Sequence, residues 1–316
     1  MDKTLAGACR LTDRGVIRAI GPDAAGFLQG QLTNDVLTIG TDRARLAGFC
    51  SAKGRLQASF VVWSTGADEF LLACPTSVLA STLKRLQMFV LRAKCKLTDA
   101  SAEVLLWGVA GEPAQALLGD LPVWGRGQNS ADGVPVIRLP DAAGVRRALV
   151  AAPPDAQALP SGTPDLPLDA WHWLEVQSGI VIIEAATVDR FVPQMVNFER
   201  VGGVDFQKGC YPGQEVVARS QYRGTTKRRT FLFDCDALPR PGQDVFAGPT
   251  GDAGGEAAGT VANSAPRPGG SGGSALVELR LAALEAPSIH LGAPDGPLLR
   301  QGELPYPLAL EAEPAG

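Results

Sequence analysis

The residues best suited to chemistry lie in Val204-Asp-Phe-Gln-Lys-Gly-Cys-Tyr-Pro-Gly-Gln-Glu-Val-Val-Ala-Arg219. Pro212 suits the first turn of a helix, where its missing N–H is not needed. A helix opening there carries Gln214 and Glu215 in its first turn and leaves Cys210 just ahead of it. Free backbone N–H groups and the helix dipole at that place favour a thiolate. Lys208 adds positive charge nearby, and Gly209 and Gly213 allow a sharp turn or a close approach to a ligand. Cys210, with Lys208 beside it, is therefore the candidate reactive or metal-handling thiol. Two plainer readings stand against this. A lone cysteine in a globular protein is commonly a small buried hydrophobe, and Glu215 at a helix start contributes ordinary dipole stabilisation of roughly 0.3–1 kcal/mol.

A basic run follows: Arg219, Arg223, Lys227, Arg228 and Arg229. It suits a phosphate, a carboxylate tail or RNA, and equally a solvated charged face. Only Tyr222 and Phe231 interleave with it, which is thin support for a nucleic-acid platform. Net charge is -4 over the 316 residues, so no whole-protein attraction to nucleic acid is expected. The six cysteines are dispersed with no C-x-x-C pair, and there are only two histidines. That pattern indicates neither a zinc site nor a histidine-rich metal site, so no metal ligands are expected, and it fits a reducing cytoplasm. Residues 1–10 have no apolar core of signal-peptide length, and no apolar stretch approaches the ~18 residues that span a bilayer.

The elements that must position these residues are of two textures. In the N-terminal half, Val16–Ile20 reads as a strand, and Asp23 as the cap of a helix running to Leu32. Arg43–Cys50 and Arg55–Trp63 read as a hairpin around Ser51-Ala-Lys-Gly54. Glu69–Cys74 is a further strand. The spacing of Val78, Leu79, Leu83, Leu86, Phe89 and Val90 predicts a helix opening at Pro75. Lys94–Thr98 and Glu103–Val109 return to strand character. Ala151–Pro167 reads as a linker, and a helix over Leu168–Gln177 ends at Gly179. After Arg229 come short β runs, Thr230–Cys235, Gly259–Ala262 and Ala275–Leu281, with a loop at Pro266–Ser274, which together suggest a small barrel or sandwich. The reading is α+β, with an N-terminal α+β domain over 1–150, a second α/β segment over 151–229 and a C-terminal barrel over 230–316.

The run Lys208-Gly-Cys-Tyr-x-Gly-Gln-Glu215 resembles the signature of the YgfZ branch of the YgfZ/GcvT-like family. Phe27-Leu-Gln-Gly-Gln-Leu-Thr-Asn-Asp-Val36, Ser51-Ala-Lys-Gly-Arg55, Phe191-Val-Pro-Gln-Met-Val-Asn197 and Tyr222-Arg-Gly224 resemble it as well. The resemblance spans about residues 16 to 230. It implies the fold of the glycine-cleavage T-protein, a three-domain ring with a C-terminal small β-barrel around a central folate site. It also implies tetrahydrofolate as cofactor and a role in iron–sulfur cluster assembly or repair that serves tRNA modification indirectly. Partners would be folate and iron–sulfur client or assembly proteins, with no direct tRNA contact and no membrane.

By the same resemblance, the motif cysteine maps to Cys210 and a folate-associated tryptophan to Trp171, whose ring can stack on a pterin. Tyr211, Gln214, Glu215 and Arg223 join Trp171 as expected cofactor-binding residues, with Cys210 and Lys208 as the expected reactive pair at the same opening. The sequence departs from the family at two places. Arg14 stands where the family has a second folate-associated tryptophan. Ala58 and Ser59 stand where the T-protein carries its catalytic aspartate, so aminomethyl transfer lacks its carboxylate. Whether the chain turns over a substrate is left open by its sequence; the alternatives are a folate-dependent aminomethyl or one-carbon transferase, and a tRNA-binding module using the Arg219–Arg229 face.

Overall fold

The computed structural model describes residues 5–128, 133–222, 226–248 and 256–308. Among these residues, two antiparallel sheets and a barrel are built from sixteen strands, with five α-helices between them. The first sheet contains β2 (Arg14–Ile20), β3 (Ala44–Cys50), β4 (Leu56–Gly66), β5 (Glu69–Pro75) and β6 (Lys96–Asp99), in the order β3-β4-β5-β2-β6. The second contains β1 (Gly7–Arg10), β7 (Leu105–Ala110), β8 (Arg126–Gln128), β9 (Pro135–Ala142) and β10 (Val145–Ala152), in the order β1-β7-β10-β9-β8.

Alternation along each strand explains why the central strands of the first sheet read as near-continuous apolar runs. Successive side chains point to opposite faces, and both faces are covered. Ile17, Phe60, Val62, Phe70 and Leu72 meet Phe27, Leu28, Leu79 and Leu86 from helices α1 (Ala24–Gln29) and α2 (Thr76–Val90). Val16, Trp63, Leu71 and Ala73 face the other way, into a core shared with Leu106, Ile137, Leu139 and Leu149 of the second sheet. The far face of the second sheet, with Val109, Val136, Ala148 and Val150, packs on Ala114 and Leu118 of α3 (Glu112–Leu118).

The barrel is closed, in the order β11-β14-β13-β12-β15-β16. Its strands are β11 (Arg228–Cys235), β12 (Asp244–Ala247), β13 (Gly259–Pro266), β14 (Gly273–Arg280), β15 (Ile289–Leu291) and β16 (Leu298–Gln301). Closure removes the exposed edges an open sheet of this size would present.

The α+β region over 1–150 holds two sheets, and the earliest strand among the described residues belongs to the second of them. Between the end of β10 at Ala152 and the start of β11 at Arg228, the described residues form α4 (Leu168–Gln177), α5 (Gln214–Tyr222) and short 3-10 turns at Ala185–Thr187 and Pro193–Val196, with no strand between them. Two expectations are corrected. Asp23 does not cap α1 through its side chain; its Oδ2 accepts the backbone N–H of Lys94 at 2.7 Å instead. Helix α5 starts at Gln214, not at Pro212, because Gly213 takes φ +78°, outside any right-handed helix.

Candidate functional site

The irregular segment between α4 and α5 is fastened by side chains reaching for its backbone, which is how a chain without strands keeps its polar groups satisfied. Thr33 Oγ1 donates to Gly203 O at 2.6 Å, and Asn34 Nδ2 donates to Gly202 O at 2.6 Å and Leu46 O at 2.8 Å. Gln194, wholly buried, donates to Val217 O at 2.8 Å and so holds α5; Asn197, equally buried, donates to Thr230 O at 2.7 Å and so holds the barrel. The stretches 27–36, 51–55, 191–197 and 208–215, far apart in the chain, therefore meet around one loop.

Within that loop, Lys208 is buried and its Nζ donates to Gln29 O and Leu32 O, both at 2.5 Å. These are carbonyls at the C-terminal end of α1 and just beyond it, where a cation is favoured. Burial pulls the Lys208 pKa down to about 8, against the opposing pull of Asp35 and Asp205. The same ammonium lies 5.0 Å from the centroid of the Tyr211 ring. Burial pushes the Tyr211 hydroxyl well above its ordinary range. Gly213 rests on the β3–β4 turn: a Cβ there would lie 2.4 Å from Ser51 O. Cys210 is exposed, the one exposed thiol of the six. Gln214 is half-buried at the helix start. Glu215 points to solvent, 84% exposed, and pairs with Arg219 at 2.6 Å. Arg223 lies outside the described residues.

Trp171 is elsewhere. It sits on α4, wholly buried, with its ring laid against Gly108 of β7, where a Cβ would lie 2.5 Å from the ring. The Arg147 guanidinium carbon is 5.5 Å from the ring centroid, and burial lowers the pKa of that arginine to about 10. The Trp171 Nε1–H is buried and has no hydrogen-bond partner in the protein. Trp171 lines a mainly apolar cavity of about 70 Å³ with Leu11, Phe60, Leu106, Leu139 and Leu149, closed on its polar side by Arg14, Ser59 and Glu175. Ser59 has a task in the fold: its Oγ accepts the Ile183 N–H at 2.9 Å.

A second cavity of about 60 Å³ adjoins the first, sharing Arg14, Glu175 and Ile182. Its wall is charged. Arg14 donates to Glu175 at 2.7 Å and also pairs with Asp13, whose Oδ2 lies 3.1 Å from His172 Nε2. Burial alone would lower the Arg14 pKa, but Glu175, Asp13 and Glu184 outweigh it and hold the guanidinium above its usual value. Burial also works against the charged form of His172, yet the Asp13 hydrogen bond and the Glu175 charge leave its pKa raised. Glu184 is raised, chiefly by burial. Arg14 is thus committed to carboxylates of its own chain. Sequence reasoning missed Asp13, His172 and Glu184; only Glu175, four residues after Trp171 and hence on the same helix face, had a visible signal. Among the described residues, no three His, Cys, Asp or Glu side chains form a group that holds a metal ion.

Trp171 belongs to the paired cavities. None of residues 208–215 lines either cavity; the motif loop lies on the other side of the β3–β4 hairpin turn. The link between the two places is the β3–β4 hairpin: β4 supplies Ser59, Phe60 and Val61 to the cavity, and its turn carries Gly213. The basic run is also broken up, since Arg219 pairs with Glu215, Arg228 with Glu278 and Arg229 with Glu199.

Comparison with known proteins agrees with this architecture. The GCVT N-terminal domain family matches residues 3–130. The tRNA-modifying protein YgfZ of Edwardsiella ictaluri is 33% identical over 260 residues, covering 75% of this chain and 74% of that protein. The tRNA-modifying protein YgfZ of Photorhabdus laumondii is 33% identical over 246 residues, covering 74% and 73%. The crystal structure of glycine cleavage system aminomethyltransferase T from Bartonella henselae superposes with a TM-score of 0.72 over 94% of this chain and 85% of that one; at 16% identity this shows the shared fold. With a third of its residues identical over most of both lengths, the chain belongs to the YgfZ/GcvT-like family, on the fold of the glycine-cleavage T-protein.

Proposed function

We propose that this protein is a cytoplasmic, tetrahydrofolate-binding accessory factor for iron–sulfur cluster assembly or repair, supporting tRNA modification indirectly through an iron–sulfur client. The observation that carries the reading is Trp171, a wholly buried indole with an unpartnered N–H, on the wall of an apolar cavity that opens onto a charged one. A buried donor without a partner costs about 1–3 kcal/mol, which a ligand acceptor would recover. An aromatic ligand with polar edges fits such a two-ended site. The apolar cavity is smaller than the ~300–1,000 Å³ that encloses a whole drug-sized ligand, so it takes one ring system and leaves the remainder at the mouth.

In this reading Trp171, Phe60 and the leucines exclude water from the ring. Glu175, oriented by Arg14, accepts hydrogen bonds from its polar edge. Tetrahydrofolate supplies a carrier for one-carbon units when bound. Cys210 acts at its own, exposed place, meeting a cluster or a thiol partner. One cysteine falls short of the four that commonly hold a cluster, so the other ligands come from the client. Aminomethyl transfer is disfavoured because β4 carries no carboxylate and the Ser59 hydroxyl is occupied by Ile183.

The test is a tetrahydrofolate titration followed by the fluorescence of the protein's tryptophans, beside Trp171→Phe, which keeps an aromatic ring but removes the indole and its N–H. Saturable quenching, weakened about tenfold or more in the variant, supports the site. No binding at millimolar ligand overturns the folate reading. Cys210→Ser, at an exposed position, is expected to melt with the parent and yet fail to restore iron–sulfur enzyme activity in cells lacking the gene. Full restoration would remove Cys210 from the mechanism.

A further inference from the structure

The last turn of α2 and the loop after it carry a surface that the fold does not use. Met88 is 68% exposed, Phe89 42% and Leu91 88%. Leu91 is held at φ +42°, a backbone region that branched aliphatic residues rarely adopt. Ile20, 42% exposed, is the cross-strand neighbour of Lys96 at the adjoining sheet edge. Around this apolar tip stand Lys84, Arg85, Arg92, Lys94 and Lys96, all exposed. No Asp or Glu occurs between Glu69 and Asp99; of the carboxylates that reach this end from elsewhere, Asp23 accepts the Lys94 backbone N–H and Glu69, opposite Ile20, pairs with Arg18. Among the described residues none of these five cations has an ion-pair partner, whereas Arg14, Arg219, Arg228 and Arg229 all do. An unpaired positive rim around a protruding apolar centre has the anatomy of a protein interface, in a chain whose net charge is -4.

We propose that the α2 end, centred on Met88, Phe89 and Leu91 and rimmed by Lys84, Arg85 and Arg92, docks an acidic face of another protein that bears an apolar pocket. Methionine and aliphatic anchors suit a protein pocket. A single-stranded RNA platform would need more aromatic rings than Phe89 alone. A membrane-surface helix would offer an apolar stripe along its length, but here Val78, Leu79 and Leu86 are spent on the core. Charge supplies the remaining selectivity, since five unneutralised cations repel a basic partner and steer an acidic one. The docking surface does not depend on the folate reading.

The experiment places a photo-crosslinking p-benzoylphenylalanine at position 88 in the full-length protein, in its own cells, with the same group at Asp295 on the barrel as control. Adducts are sequenced. The expected product is a protein adduct, absent from the control, mapped to an Asp/Glu-rich surface segment, and reduced about tenfold or more when Lys84→Glu, Arg85→Glu and Arg92→Glu are introduced together. Because these three side chains are exposed, the variant's melting temperature and tetrahydrofolate titration should match the parent's, which separates lost docking from lost folding and from failure of the folate site. Adduct yield no greater than the control's, or unchanged by the charge reversal, overturns the proposal. So does an adduct to RNA, to lipid or to a second copy of this chain.

Discussion

Cys9, Cys50 and Cys74 have pKa values pushed up to about 12, chiefly by burial. At neutral pH they are neutral packing groups, and the thiolate is the reactive form. Cys210 alone is exposed, so limited alkylation at neutral pH is expected to label it first, and Cys210→Ser to abolish that fast phase in a mass-spectrometric time course. Lys208 has a structural task as well, because its ammonium fastens the motif loop to the end of α1. Lys208→Met leaves two carbonyls without their donor and should cost roughly 1.5–3 kcal/mol in a urea denaturation. His172 adds a pH-dependent contact. Its folded pKa is raised, despite burial, by Asp13 and Glu175, so its share of stability is fully present below the ordinary histidine value of 6.5 and is lost as pH rises through the folded value. With only two histidines in the chain, an NMR titration reads this directly. The His172 midpoint should lie above 6.5 and fall in Asp13→Asn.

Elements with their own periodicity were legible. Helix α4 runs over Leu168–Gln177 as its pattern predicts, stopped before Gly179, which takes φ +69°. Three of the barrel strands and the β3–β4 hairpin also announce themselves through alternation and turn residues. Helix α5 begins two residues later than Pro212 suggests, because the left-handed conformation at Gly213 interrupts the run. The segment from Ser178 to Gly213 was not legible as structure, since what fastens it are Thr33, Asn34, Gln194 and Asn197, whose partners lie tens of residues away or more for the first two. The charged cavity was hidden for the same reason: Asp13 and His172 are 159 positions apart. Gly213 is also where this scale can be tested. Gly213→Ala combines a positive φ with a Cβ 2.4 Å from Ser51 O. It should destabilise the protein by about 1–3 kcal/mol and speed alkylation of Cys210 as the loop lifts from the hairpin.

For the whole molecule, α4 and the middle segment are the joint between the sheets and the barrel. Trp171 packs on the second sheet, Glu175 pairs with Arg14 of the first, and Trp173 Nε1 donates to Ser274 Oγ of the barrel at 3.0 Å. Asn263 of the barrel exchanges two 2.8 Å hydrogen bonds with the backbone of Ile182. Arg229, paired with Glu199 and donating to Gln194 O at 2.9 Å, adds a buried ionic fastening. Arg229→Gln should therefore cost about 3 kcal/mol by leaving the buried Glu199 only the longer 3.8 Å contact with Arg200, read as a lower urea midpoint. A loss confined to RNA affinity, with stability intact, would restore the basic run as a binding face. The topology also orders the making of the molecule. Strand β1, the earliest among the described residues, pairs with β7 on one side and bridges Asp165 on the other, where Gly7 packs against Pro164 and Asp165. The five strands of the first sheet, Arg14–Asp99, can close while β1 waits for a partner about a hundred residues behind it in synthesis. A bulky tag fused ahead of Leu5 would then slow completion of the second sheet, the wall on which Trp171 rests, and leave nascent-chain folding of the first untouched.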